Sequence, residues 1–277
     1  MAGRSYFEVL TEAIDTIARE GYQSPEQIDY WTDQIRRAAE RSLRSETEIE
    51  AAVRDALGAI YRKNVEMGGI LQRMSGVSAY TLERMKPELH AELGRRIAAS
   101  LDLIKLNREQ SIERTKQRFR GWATSIPAGG SDTVERREEK KQIRKALASA
   151  SFEERRVTID QGHKLFNAIN TTVAVNGGAI GGVWKSHKFQ VGYNGRVDHN
   201  ARDDHFFLVR DSWAHKAGLV KPNKNGYTDD VEQPGQLPFC RCSWKYVMSL
   251  RSVPPECLTE KGKKALAEAR RKIANAA

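Results

Sequence analysis

From Tyr6 to Val173, apolar residues recur every three or four positions, and that spacing commits the chain to helices with one buried face. Phe7, Leu10, Ile14 and Ile17 form the first stripe, on a helix expected over Tyr6–Arg19 and ended by Gly21. Ser24, Pro25 and Gln27 announce the next start: a hydroxyl cap, a proline at the first helical position and the glutamine of a capping box. Ile28, Trp31, Ile35, Ala38 and Leu43 then share one face, while Arg36, Arg37, Arg41 and Arg44 point elsewhere. Ser45 with Glu48 repeats the capping-box signal ahead of Ile49, Val53, Leu57 and Ile60. Gly68-Gly69 breaks the run, and Leu89, Leu93, Ile97, Leu101 and Ile104 resume it, with Pro87 near the start. Residues 1–124 therefore read as a helical region. The chain is only 39% hydrophobic and 30% charged, a lean balance that suits helices completing their core against a partner, so a docking role stands beside a plain helical core.

Residues 125–150 read as a linker and a charged helix. Pro127 and Gly129-Gly130 mark the linker. Arg136, Arg137, Lys140, Lys141, Arg144 and Lys145 follow, interleaved with Glu135, Glu138 and Glu139, a spacing that supports an exposed helix through acid–base pairs one turn apart. Ser151 with Glu154 is a third capping-box signal, and Val157, Leu165, Phe166, Ile169 and Val173 supply an inward stripe up to Asn176-Gly177-Gly178. Beyond these glycines the period changes. Ala179 to Lys185 reads as a strand, Arg202 to Ala214 as a helix, Pro222 to Pro238 as a polar loop and Thr259 to Ala274 as a basic helix with Lys261, Lys263, Lys264, Arg270, Arg271 and Lys272. The expected fold class is mainly α: an extended N-terminal helical region over 1–124, a linker and charged helix over 125–150, a small α+β domain over 151–250 and a terminal helix over 251–277.

The formal charge of +10 is unevenly placed: residues 1–125 carry 20 Lys and Arg against 19 Asp and Glu, residues 126–277 carry 26 against 17. A basic excess attracts nucleic acid or acidic protein surface. The faces at 136–145 and 261–272, with Arg136, Arg137, Lys140, Lys141, Arg144, Lys145, Arg270, Arg271 and Lys272, are the candidates for contact with DNA. No charged-then-apolar leader and no long apolar run is read, so a soluble chain without membrane association is expected. All three cysteines follow residue 239, which is no secreted disulfide framework. A bond between Cys240 and Cys242 would close a very small ring, so reduced thiols are expected.

Four of the six histidines fall between Trp184 and Trp244, together with Cys240-Arg241-Cys242. Thiolates and imidazoles are the donors zinc prefers, and a small loop-rich module gains much from such a staple. Cys240 and Cys242 with His205 form the first candidate ligand set, and His199, His187 or Asp198 supplies the fourth position. The alternative is a core in which the same residues are buried without metal. An enzymatic reading uses Asp198-His199-Asn200 and Asp203-Asp204-His205 for metal-assisted phosphodiester cleavage. No later histidine completes the helix of an HNH-type nuclease, and the chain is read as a non-enzyme.

The order Trp184, Asp198-x-x-x-Arg202-x-x-His205-x-x-Leu208, Pro234-Gly235 and Pro238-Phe239-Cys240-Arg241-Cys242 resembles the phage Mu F-like head morphogenesis family over residues 150–248. The family commonly has a glycine soon after the leucine, where this chain has Val209-Arg210. The resemblance implies a minor head protein of a tailed bacteriophage, made in the host cytoplasm and built into the procapsid. It implies association with the portal and the capsid interior, roles in head assembly and DNA packaging, and contact with portal, major capsid or scaffold protein. Trp184, Asp198 and Arg202 would then be structural, with Asp198 and Arg202 as an internal pair.

Overall fold

A computed structural model describes residues 4–133, 135–187 and 195–276. The fold is mainly α with one small antiparallel sheet and a C-terminal helix. In chain order the helices are α1 (Tyr6–Glu20), α2 (Pro25–Ser42), α3 (Glu46–Tyr61), α4 (Gly69–Arg73), α5 (Ala79–Ala123), α6 (Arg136–Ala148) and α7 (Ala150–Asn176). After them come β1 (Gly181–Lys185), α8 (Val197–Ala201), β2 (Phe206–Leu208), α9 (Trp213–Lys216), β3 (Ser243–Val247) and α10 (Glu260–Ala276). Among the described residues no helix is long and apolar enough to cross a membrane.

Two compact units emerge, Met1–Val53 with Ala99–Thr158, and Arg54–Ala98 with Ile159–Ala277. They differ from the consecutive segments 1–124, 125–150, 151–250 and 251–277, because α3, α5 and α7 each contribute residues to both. A continuous helix carries no break in composition by which such a boundary could be read.

In the first unit, Leu10, Ile14 and Ile17 of α1 meet Ile28, Trp31 and Ile35 of α2, with Phe119 of α5 and Ile143 of α6 completing the core. The starts follow the expected chemistry. Ser45 and Glu48 form a reciprocal capping box, with Ser45 N donating to Glu48 at 2.7 Å and Glu48 N to Ser45 Oγ at 3.2 Å. Ser24 caps α2, but Gln27 reaches back to Gln23 N instead of Ser24 N.

Two sequence expectations change in this unit. Phe7 is half exposed and lies under the Arg144 guanidinium at 5.6 Å instead of in the core. The Ser151–Glu154 capping box does not form, since α7 already begins at Ala150. Glu154 is buried and accepts from Arg44 at 2.8 Å and from Arg108 Nε at 2.6 Å. A glutamate three residues after a serine is the same string in both cases; only the partner helices distinguish them.

The second unit holds the sheet, ordered β2-β1-β3 with both pairings antiparallel. The helix expected over 202–214 is absent: Phe206, Phe207 and Leu208 are all buried and form β2. Both faces of the sheet are covered. Phe206, Leu208 and Val247 join Ile180 and Leu258 on one side, while Trp184, Phe207 and Trp244 gather on the other. The glycine pair of β1 permits this, because a Cβ at Gly181 would strike the Phe206 ring and one at Gly182 would stand 3.0 Å from Trp244. The basic C-terminal helix forms as expected, capped by Thr259, whose Oγ1 accepts from Gly262 N at 3.0 Å.

Replacing Glu154 by alanine leaves Arg108 buried without its counter-ion. Loss of one partner of a buried pair should cost about 3 kcal/mol in urea unfolding. A loss under roughly 1 kcal/mol would show that the pair adds little beyond its surroundings.

Candidate metal centre

The centre is assembled on the outer edge of β3. That strand bonds β1 on one side only, so alternate carbonyls on its other side need donors. Helix α7 supplies them from side chains: Asn167 Nδ2 donates to Cys242 O at 3.1 Å and Asn170 Nδ2 to Trp244 O at 2.8 Å. His163 Nε2 lies 3.0 Å from the same Cys242 carbonyl. One turn earlier, Asp160 accepts from Phe239 N at 2.6 Å. Phe239 has φ of 59°, a left-handed conformation that is costly for a bulky residue. The Asp160 bond helps hold it, and the resulting turn sends Cys240 inward.

Cys240, Cys242 and His199 are each about 98% buried or more. His199 Nδ1 lies 3.4 Å from Cys240 Sγ and 3.7 Å from Cys242 Sγ, and the three donor atoms fall within 4.8 Å of one another. This is a group that could bind a metal ion. Around it, Trp184 packs edge-on to both His199 and Trp244, with ring centroids 5.2 and 5.1 Å away. On the solvent side, Arg202 lies 5.3 Å over the Trp184 ring and bonds Glu232 at 2.8 Å and Asp198 at 3.3 Å. The Arg202 hydrogen bond holds the Glu232 carboxyl below its usual range.

The Cys242 thiol hydrogen-bonds the Cys240 sulfur and pulls its pKa down to about 5, helped by the N–H groups of Gly235 and Cys242 and by His199, against the opposing effect of burial. The same bond, with burial, pushes Cys242 well up. Cys257 lies apart, in the cluster on the opposite face of the sheet, and burial raises its thiol to about 11.

The expected site residues separate into those gathered and those left out. Cys240, Cys242, His199, Trp184, Asp198 and Arg202 converge. His205, the first ligand expected beside the thiols, does not: it is exposed, its carbonyl accepts from Trp184 N at 2.9 Å, and it is outside the metal-capable groups found among the described residues. Histidines six residues apart look equivalent as a string. The short helix α8 turns His199 inward, while Asp204, at φ 62°, reverses the chain before His205. His187 is exposed, and the Asp198–Arg202 pair sits at the surface, with Asp198 54% exposed.

Sequence reasoning missed Glu232 and the α7 donors. The latter left a trace: Asp160, His163, Asn167 and Asn170 repeat at helical spacing and form a polar stripe beside the apolar one. Of the basic residues assigned to DNA, Lys140 pairs with Asp15 at 3.1 Å and Arg144 covers Phe7. Lys141 pairs with Glu138 at 3.5 Å. Arg137, Lys141 and Lys145 are exposed and Arg136 is half-buried. On α10, Arg270, Arg271 and Lys272 are exposed, with Lys272 bonded to Glu268. No protein-family model, curated protein or solved structure matches this chain.

The opposite shifts of the two thiols make the stability of metal-free protein depend on pH with a defined sign. A depressed Cys240 stabilises fully above the unfolded thiol value of roughly 8.5, and this contribution is lost as pH falls to about 5. The raised Cys242 acts oppositely, destabilising above roughly 8.5, where the unfolded thiol ionises and the folded one does not. The urea midpoint in chelator and reductant should therefore climb from pH 5.5 to 8 and then level or fall. Cys240→Ala should flatten the climb.

Proposed function

We propose that this chain is a non-enzymatic minor head protein of a tailed bacteriophage, whose C-terminal module carries a structural zinc ion on His199, Cys240 and Cys242. The supporting observation is the convergence of Trp184, Asp198, Arg202, Cys240 and Cys242 at one centre. These are residues on which the resemblance to the Mu F-like head morphogenesis family rests, and they come from stretches far apart in sequence. The donor types are those zinc prefers, two thiols and an imidazole nitrogen facing one another away from water, and they supply three of the four positions of a structural zinc shell. Zinc would supply cross-linking and no chemistry, tying α8 to the turn before β3.

In this reading the helical first unit docks on portal protein, with major capsid or scaffold protein as a further contact. The protein is assembled in the host cytoplasm and resides in the head interior or at the portal vertex. A second contact, with packaged DNA, is favoured by one observation: Arg137, Lys141, Arg144 and Lys145 of α6 remain exposed, while Lys140 pairs with Asp15.

Co-expression with the portal protein of the same phage should yield a complex that survives gel filtration, and the purified chain should carry one zinc per molecule by elemental analysis. Plasmid nicking by the purified protein, abolished in His205→Ala, would overturn the non-enzymatic reading in favour of a nuclease. Affinity for random duplex DNA should fall with rising salt, and Lys141→Ala should reduce the slope by about one unit. Binding that ignores salt, or no binding, removes the DNA contact.

A further inference from the structure

The two thiols of the centre are held by different anchors. Cys242 is fixed through its own carbonyl, which meets Asn167 Nδ2 at 3.1 Å and His163 Nε2 at 3.0 Å. Cys240 stands instead at the end of a tight turn, in which its N–H donates to Leu237 O at 3.2 Å. Pro238 is the second residue of that turn and Phe239 the third, at φ 59°. Such a turn favours glycine in third place, because a side chain is crowded in the left-handed region. The Phe239 ring is nearly half exposed, so packing of the ring offsets only part of that cost. The Phe239 N–H donates to Asp160 Oδ1 at 2.6 Å, and Lys164 Nζ holds the other carboxylate oxygen at 3.0 Å. We infer that Asp160 is the positioning residue for Cys240: by holding Phe239 left-handed, it aims the Cys240 sulfur at His199 before a metal arrives.

Without Asp160, the turn is free to relax toward the negative φ that phenylalanine prefers. That change falls one residue before Cys240 and swings the direction in which its side chain leaves the backbone. Cys240 Sγ accepts from Gly235 N at 3.4 Å and lies 3.4 Å from His199 Nδ1, and such a rotation would open both contacts. The carboxylate is well anchored for the task, since the Asp160 side chain is only 8% exposed and its Lys164 partner follows one turn later on α7. Asp160, His163, Lys164 and Asn167 share one face of that helix. The same face therefore sets both cysteines, Cys240 through the turn and Cys242 through its carbonyl. A metal then meets donors already gathered, and less of its binding free energy goes into ordering them.

This inference rests on the zinc reading for its affinity test but not for its exchange test. In metal-free protein, the Phe239 amide should exchange with deuterium slowly in the native chain and roughly 10-fold faster in Asp160→Ala. Zinc affinity, measured by chelator competition, should fall about 10-fold in Asp160→Ala. It should recover in part in Asp160→Asn, whose amide oxygen still accepts from the Phe239 N–H. The deciding comparison uses glycine. Phe239→Gly takes the left-handed conformation without strain, so in that background Asp160→Ala should change zinc affinity by less than about 3-fold. A role confined to the packing of α7 would cost the same in both backgrounds.

An equal fall in zinc affinity in the two backgrounds would overturn the inference, as would unchanged affinity in Asp160→Ala. Exchange of the native Phe239 amide at the rate of an unstructured peptide would overturn it whether or not zinc binds. Should Asp160→Ala fail to fold, the double variant with Phe239→Gly must fold and bind zinc like Phe239→Gly alone, and its failure to do so would sink the idea. Failure of the native chain to bind zinc would instead remove the zinc reading and leave the exchange result to decide the inference alone.

Discussion

The second unit depends on how α7 grips the open edge of β3. A three-stranded sheet has two edges, and the outer carbonyls of β3 would need water or another chain. Amide side chains of Asn167 and Asn170 donate to two alternate carbonyls from successive turns of one helix. The helical rise of about 1.5 Å per residue places Asn170 roughly 4.5 Å beyond Asn167, while carbonyls two residues apart on a strand lie about 6.8 Å apart. Flexible amides span that mismatch. Once the edge is held, Cys242 and Trp244 are fixed in register, and Cys240 follows through the Asp160-supported turn at Phe239.

The aromatic cluster converts that register into a site. Trp184 and Trp244 are direct partners across β1 and β3, and they meet edge-on with His199 against Trp184. Such a cluster shields two thiols and an imidazole from water, so their mutual interactions are strong and an unpaired group is costly. The result is two sulfurs held against one imidazole nitrogen, with Cys240 shifted toward the thiolate and Cys242 toward the thiol. Charge neutralisation by a divalent cation would answer the same need. The donors face inward, and the charged Asp198–Arg202–Glu232 chain faces out.

In the first unit the polar groups serve packing as much as solvation. Glu154 joins Arg44 and Arg108, Lys140 joins Asp15, and Arg144 covers Phe7. Part of the basic excess that suggested nucleic acid is thus spent on holding helices together, and a count of charges overstates the surface free to meet phosphate. Exposed leucines at 103 and 106 on α5 leave apolar surface on this helical unit.

The sequence by itself determined the helices, their caps at Ser24 and Ser45, the break at Gly68-Gly69, the strand after Gly177-Gly178 and the terminal basic helix. These are local matters: periodicity, side-chain capping and backbone freedom act within a few residues. It also marked Trp184, Asp198, Arg202, His199, His205, Cys240 and Cys242 as a set, one histidine too many. Only the tertiary structure decided that His199 faces the thiols and His205 faces away, that Phe206 to Leu208 is a strand, and that Glu154 is an ion-pair partner in place of a cap. Each of those outcomes depends on what lies across space. A histidine turns inward because α8 and a left-handed Asp204 direct it, and a glutamate is buried because two arginines from other helices arrive to meet it. Residue order carries no direct record of such encounters, since the same short strings are satisfied by more than one partner.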